Sequence, residues 1–336
     1  MHPVGGIPSL AVVIPCYCVR DAILPVLARI GPEVAAIFVV DDGCPQGSGE
    51  LVRRTCRDPR VQVLAHETNQ GVGGAVITGY RAALAAGATI VVKLDGDGQM
   101  DPADLPALVA PIAAGEADYT KGNRFFRLED LKEMPGIRIA GNAALSFLTK
   151  LSTGYWGIFD PTNGFTAIHA RVLALLPLDK VRRDFFFESD MLFRLNTIGA
   201  VTLDIPMPAR YPDARSNLRI ATVIPTFLAR HGVNFVKRIV YNYYLRDFSV
   251  ASLELLLGLI LTGWGTVFGA WRWAASIASG ELASSGTIML AALPVLAGIQ
   301  LLLAFLAFDI SRTPRVPLHT HLPHSIATAS GTAPPG

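Results

Sequence analysis

Two long apolar runs near the C-terminus constrain this 336-residue chain more than any other feature. The first, Phe248 to Trp271, is interrupted by one acid, Glu254, and the second, Thr287 to Phe308, carries no charge. Each is long enough for a helix to cross a ~30 Å hydrocarbon layer, which takes ~20 residues. Lys237, Arg238 and Arg246 precede the first run, and Arg312 and Arg315 follow the second; only Arg272 and Glu281 lie between. A buried pair of core helices needs no such flanks. Basic ends on both sides predict a two-helix hairpin, residues 247–309, in the inner (cytoplasmic) membrane, multi-pass, with both termini cytoplasmic.

Around that hairpin the chain divides by composition. Residues 1–217 have the mixed character of a soluble α/β domain and are expected on the cytoplasmic side. Residues 218–246 set Phe235, Val236, Ile239, Val240, Tyr243 and Tyr244 at helical spacing with Lys237 and Arg238 among them, which suits an amphipathic helix on an anionic leaflet or a helix packed on its own domain. Residues 310–336, rich in Pro, His, Thr and Ser, read as a disordered cytoplasmic tail. Net charge is only +2, which argues against nucleic acid as a partner. The cysteines, Cys16, Cys18, Cys44 and Cys56, form no CxxC pair, so reduced cytosolic thiols are expected rather than a zinc site. The first residues lack a basic segment followed by a long apolar one, so no signal peptide is expected.

In the soluble part, Leu10–Pro15, Ala36–Val40, Val61–Leu64 and Thr89–Leu94 are short apolar runs with the character of buried strands, and Ala22–Ile30 is helix-like. Strand–helix alternation predicts an α/β fold with a mostly parallel, Rossmann-like sheet, and ligands of such sheets bind beyond the carboxyl ends of the strands. Asp41-Asp42-Gly43 follows the second run, Asn69-Gln70-Gly71-Val72-Gly73-Gly74 the third, and Asp95-Gly96-Asp97 the fourth. All three therefore fall on one edge.

Carboxylates at a strand end bind Mg²⁺ or Mn²⁺ through oxygen, and such a metal bridges the phosphates of a diphosphate ester. Asp95 and Asp97, with Gln99 beside them, are the candidate metal residues. The glycine-rich turn is either a phosphate cradle or a tight turn with close helix–sheet packing; it matches neither a dinucleotide fingerprint nor a P-loop. Arg124, Arg127 and Arg138 lie close in sequence with Lys121 and Lys132, as phosphate or headgroup ligands or as a solvated basic surface. Asp160 sits in a turn-like stretch, and Glu188-Ser189-Asp190 opens a helix that it caps or through which it presents a carboxylate.

The segments VVIPCY, VVDDG, NQGVGGA, KLDGDGQMDP, KGNRF, DPTNGF and FFFESDMLFR, in that order, resemble the motif series of family 2 inverting glycosyltransferases of the GT-A fold. With RYPDARSNL and two terminal apolar helices, the chain is most similar to the polyprenyl-phosphate glycosyltransferases, including dolichol-phosphate mannose synthases. The resemblance implies a nucleotide-sugar donor and a polyprenyl (undecaprenyl) phosphate acceptor, with Mg²⁺ or Mn²⁺ as cofactor. It places Pro15, Tyr17 and Asp42 at the nucleoside and Asp95, Asp97 and Gln99 at the metal and diphosphate. It places Arg124, Arg138, Asn142 and Arg210 at the acceptor phosphate, and Asp160, Glu188 and Asp190 near the reacting groups. The chain departs from the family pattern where Cys18-Val19 replace the usual Asn-Glu after the Tyr, where Cys44 replaces the usual Ser, and where Asn142 stands in place of a frequent Ser. A family 2 transferase acting on another acceptor, and a non-catalytic membrane-tethered scaffold, are the alternatives. Gly265 and Gly269 have a small-xxx-small spacing that serves either a homo-oligomer or packing within the hairpin.

Overall fold

The computed structural model describes residues 9–126, 136–208 and 220–323. The chain divides into two compact units, Met1–Phe235 with Pro314–Gly336, and Val236–Thr313.

The first unit is a seven-stranded sheet: β1 (Leu10–Cys16), β2 (Val34–Asp41), β3 (Val61–Ala65), β4 (Ile90–Lys93), β5 (Tyr119–Asn123), β6 (Thr166–His169) and β7 (Thr202–Pro206), in spatial order β3-β2-β1-β4-β6-β5-β7. All pairs are parallel except those of β6, which runs antiparallel to both β4 and β5. The expected mostly parallel sheet is present, with β6 inserted as a reversed strand.

Its helices are α1 (Ile23–Ala28), α2 (Ser48–Thr55), α3 (Val72–Ala85), α4 (Leu105–Ala113), α5 (Gly136–Thr153), α6 (Ala170–Leu173) and α7 (Phe187–Ile198). Successive residues of β1 divide between two cores. Leu10, Val12 and Ile14 pack in one with Ile23, Val26 and Leu108, while Ala11 and Val13 join the other with Tyr80, Phe187 and Leu192. A strand covered on both faces must be apolar at every position, which explains runs such as LAVVIP that lack alternation.

The tail expectation is corrected over residues 310–323. Asp118, fully buried just before β5, accepts hydrogen bonds from the backbone N–H groups of Val201 (2.8 Å), Leu318 (2.7 Å) and His319 (2.8 Å), and its Oδ1 lies 2.7 Å from His319 Nδ1. The His319 ring stacks on His169 with centroids 4.2 Å apart, and Arg171 Nη1 donates to the His319 carbonyl at 2.8 Å. Polar composition suggested solvation, but a carboxylate able to receive four donors gives this segment a fixed seat. Burial of Asp118 opposes its charge, yet these bonds, His319 first, hold its pKa below the usual carboxylate value.

Helix α8 (Ile220–Val240) crosses the boundary between units and is followed by a π-turn, Tyr241–Leu245. Then come α9 (Val250–Ser279) and α10 (Ser285–Ser311), both long and apolar enough to cross a membrane. The small-residue face is used inside this pair. A Cβ added at Gly265 would lie 2.7 Å from the Ala291 carbonyl oxygen, and one at Gly258 2.9 Å from Leu302. Arg238, expected on a leaflet-facing basic surface, is instead buried against Asp309, with Nη1–Oδ1 2.5 Å and Nη2–Oδ2 3.1 Å. Tyr243 donates to the same carboxylate at 2.7 Å. An acid at the end of an apolar run needs a desolvated partner, and the bidentate guanidinium supplies it.

Candidate active site

The carboxyl ends of β1 and β2 form one side of the site. Pro15 is half-buried and Tyr17 is 46% exposed, so both are open to a ligand. Asp41 closes the turn after β2: its Oδ1 accepts from the Cys44 N–H (2.8 Å) and its Oδ2 from the Gly49 N–H (2.9 Å). Asp42 differs from its expected place. It is 3% exposed, and its Oδ1 receives the Gln70 N–H at 2.8 Å and lies 2.7 Å from His66 Nδ1. Asp42 thus braces the glycine-rich turn from beneath instead of opening onto a pocket.

That turn resolves its two readings in favour of packing. Gly73 N–H donates to the Arg183 carbonyl at 2.8 Å, and Gly74 N–H reaches the same oxygen at 3.4 Å. A Cβ at Gly73 would lie 2.8 Å from both the Arg183 Cα and the Phe187 ring. Amides engaged in this way are not offered to a phosphate.

At the end of β4 stands Lys93, which the sequence reading passed over. Its side chain is 1% exposed, and its Nζ donates to Asp95 Oδ1 (2.7 Å), Glu188 Oε1 (3.0 Å) and the Gly164 carbonyl (3.2 Å). One ammonium therefore joins the metal motif, the DPTNGF turn and the start of α7. Burial alone would lower its pKa, but Asp95 and Glu188 outweigh that and raise it, so the amine stays charged. A Cβ at Gly164 would displace Lys93 Nζ and Asp95 Oδ2, so a side chain here would disturb this network. The signal was available: a single lysine inside the run TIVVKL has to find carboxylates.

Asp97 is exposed and accepts the Gln99 N–H on its Oδ1 at 3.0 Å. Desolvation by the surrounding atoms, with the Asp95 charge next to it, raises its pKa above the usual value. Among the described residues no three His, Cys, Asp or Glu side chains gather as a metal cage. Two carboxylates fit Mg²⁺ or Mn²⁺ nonetheless, because these ions take one or two protein carboxylates and complete their shell with phosphate and water.

On the other side of β4, Arg124 grips Asp160 through Nε–Oδ2 (2.8 Å) and Nη2–Oδ1 (3.1 Å), and its backbone N–H reaches Oδ2 at 3.3 Å. Asp160 is fully buried, so it orients Arg124 and is not poised as a base. Asp190 is likewise drawn elsewhere: it accepts from the Arg182 N–H (3.0 Å), Arg194 Nε (2.9 Å) and Asn234 Nδ2 (3.3 Å), and serves the packing of α7. Two further groups are wholly or partly buried, Lys121, expected as a phosphate ligand or on a solvated basic surface, and Asp204, which the sequence did not mark. Lys121 is fully buried, its amine directed at the Asn163 carbonyl, and burial lowers its pKa to about 8. Burial raises Asp204 to about 6 while it accepts from Phe159 N–H (2.8 Å) and Asn123 Nδ2 (2.9 Å). Asn142 Nδ2 is a buried donor with no partner among the described residues. Arg210, Arg127 and Lys132 and the side chain of Arg138 lie outside the described residues.

The mixed-sheet fold is shared with solved proteins. Glucosyl-3-phosphoglycerate synthase from Mycobacterium tuberculosis, solved with Mn²⁺, UDP-glucose and phosphoglyceric acid, superposes with a TM-score of 0.53 at 20% identity, covering 71% of this chain and 85% of that one. Residues 11–176 match the model of glycosyl transferase family 2. The chain is 31% identical over 199 residues to the undecaprenyl-phosphate mannosyltransferase of Micrococcus luteus, across 58% of this chain and 81% of the relative. It is 30% identical over 202 residues to the polyprenol monophosphomannose synthase of Mycolicibacterium smegmatis, across 58% and 75%. The chain belongs to glycosyl transferase family 2.

Proposed function

We propose that this chain transfers a sugar, with inversion, from a nucleoside-diphosphate hexose to a polyprenyl phosphate, undecaprenyl phosphate in the first instance, yielding a lipid-linked monosaccharide. The observation that carries this reading is Lys93, which ties Asp95 of the metal motif to Glu188 at the carboxyl edge of the sheet. Support comes also from two relatives named for polyprenyl-phosphate acceptors and from two helices able to cross a membrane. Two helices that each cross a bilayer return the chain to the side from which it entered. We assign that side to the cytoplasm of the inner membrane.

In this mechanism Pro15 and Tyr17 line the nucleoside pocket while Asp42 stiffens its floor. Asp95 and Asp97, with Gln99, would hold Mg²⁺ or Mn²⁺, which when bound supplies Lewis-acid compensation for the departing diphosphate. Lys93 fixes Asp95 with one oxygen engaged, and Glu188 is held on the same ammonium to position sugar or acceptor. Arg124, oriented by Asp160, contributes positive charge at the acceptor phosphate, joined by Arg138, Asn142 and Arg210. An ionised phosphate oxygen attacks the anomeric carbon as the bond to the β-phosphate oxygen breaks. Such a nucleophile needs little proton removal, so no dedicated base is required.

Purified full-length protein, given undecaprenyl phosphate, Mn²⁺ or Mg²⁺ and labelled UDP-glucose, other UDP-hexoses or GDP-mannose, is expected to form a lipid-linked product. Mannose is included because two relatives are named for it. Absence of product with every donor, in protein that is folded, would overturn the proposal.

A further inference from the structure

Two positions where this chain departs from the family pattern meet in space. Cys18 follows β1 and Cys44 follows β2, 26 residues apart in sequence, and the Cys18 N–H donates to Cys44 Sγ at 3.1 Å. With an N–Cα bond of about 1.46 Å, the Cys18 α-carbon then lies within about 4.6 Å of the Cys44 sulfur, a separation that rotation of the Cys18 side chain closes into a bond. Both residues are free thiols; Cys18 is exposed, and Cys44 is half-buried within 3.2 Å of Ser48 Oγ. Cys18 also holds a left-handed backbone conformation, φ +56°, the one positive φ outside glycine among the described residues. It places the Cys18 amide over the Cys44 sulfur on the loop that carries Tyr17.

We propose that Cys18 and Cys44 form a reversible disulfide that cross-links the two loops of the nucleoside pocket and shuts off donor binding. The inference rests on the reading of Tyr17 and the β1–β2 loops as that pocket. A low-molecular-weight disulfide is the oxidant. Cys44 thiolate attacks one of its sulfurs, forming a mixed disulfide and releasing one thiolate. Cys18, losing its proton to water, attacks the Cys44 sulfur, forms the Cys18–Cys44 bond and expels the second thiol. Two protein thiols are thereby oxidised by two electrons, and the small disulfide is reduced to two thiols.

The order of attack follows from the surroundings. Although desolvation works against it, hydrogen bonds from Ser48 and the Cys18 amide lower the Cys44 pKa, whereas desolvation and then the Cys44 sulfur raise that of Cys18. Buried Cys16, its thiol pushed up to about 12 by desolvation and by Asp41, is inert by the same measure. A cross-link pins the loop bearing Tyr17 to the turn held by Asp41, and a pocket tied across its mouth excludes a nucleoside.

The test treats full-length protein with oxidised glutathione and then reads intact mass, thiol count and UDP affinity in the presence of Mn²⁺. The expected result is loss of two hydrogens and two titratable thiols, at least a tenfold weaker UDP affinity, and recovery of both with dithiothreitol. Cys44→Ser should fold and ignore the oxidant, while Cys18→Ser should fold and stop at a glutathione adduct on Cys44, and neither should form the internal disulfide. Stable glutathionylation without an internal disulfide, or a disulfide that leaves UDP affinity unchanged, would overturn the proposal. Reduced protein that binds no nucleoside diphosphate would break the donor-pocket assignment instead, and the mass and thiol count would still score the cross-link.

Discussion

Two of the buried cation–carboxylate networks are built to opposite ends. In the hairpin unit Arg238 and Asp309 are 2% and 4% exposed, matched fork to fork, with the Tyr243 hydroxyl filling the remaining approach. In the sheet unit Lys93 is 1% exposed, but its partners Asp95 and Glu188 keep 28% and 13% of their side chains open. A guanidinium with two parallel bonds locks one geometry; an ammonium is a point charge that can serve several acceptors. The closed network leaves no carboxylate edge for a ligand. The open one leaves two acids facing the strand-end rim, held in place and only partly neutralised. Burial of charge marks structure in one case and chemistry in the other, and the difference lies in what the carboxylates have left to bind.

Substitutions can break this contrast, the largest effect first. Asp97→Asn should cut sugar transfer by about a thousandfold, since metal compensation is worth several kcal/mol, while leaving the unfolding midpoint unchanged. A variant that keeps its activity would remove Asp97 from the site. Arg238→Met should do the reverse, losing about 3–5 kcal/mol of stability in denaturant titrations because Asp309 is left buried and unpaired. Its activity per folded molecule should persist, and adding Asp309→Leu should restore most of the stability. If the single variant is as stable as the parent, the hairpin network is not the lock described above.

Lys93→Met tests the intermediate case, a residue that positions without touching substrate. Transfer should fall roughly 10–100-fold, as for groups that orient metal ligands, and Mn²⁺ affinity measured with UDP present should weaken with it. Stability loss with unchanged Mn²⁺ affinity would make Lys93 purely structural. The smallest effect concerns acid. Burial holds His231 to about 4 against an ordinary 6.5, so below pH 6.5 the unfolded chain takes a proton that the folded one refuses. Stability from this group is complete above pH 6.5 and declines as pH falls toward 4, by about 2 kcal/mol at pH 5. His231→Asn should flatten that part of the pH dependence; an unaltered slope would assign it to other groups.

Much of this was legible from residues. Apolar runs located β1 to β4 because strands buried on both faces tolerate nothing else, and the length of the last two runs announced α9 and α10. Asp95 and Asp97 could be found because a strand end exposes them together. What stayed hidden depended on partners distant in sequence. Asp42 and Asp160 have the residue type of a ligand or base, yet one holds the Gln70 amide and the other holds Arg124. Asp190 looks like a catalytic acid until Arg194 and Asn234 are seen against it. Lys93 was missed because periodicity treats a lysine in a strand as noise, and Lys121, grouped in sequence with exposed basic residues, is instead a buried amine directed at the Asn163 carbonyl.

The docking of residues 318–322 has a consequence for how the protein is made. Asp118 and its partner Leu318 are 200 residues apart, and between them the ribosome must produce the whole hairpin. At 5–20 residues per second that interval is roughly 10–40 s, during which Asp118 lacks the donors that Leu318 and His319 bring to it. The seat on Asp118 is therefore completed late, by a segment that emerges after both apolar helices. A chain that stops short of Leu318 would leave its sheet unit one clasp short.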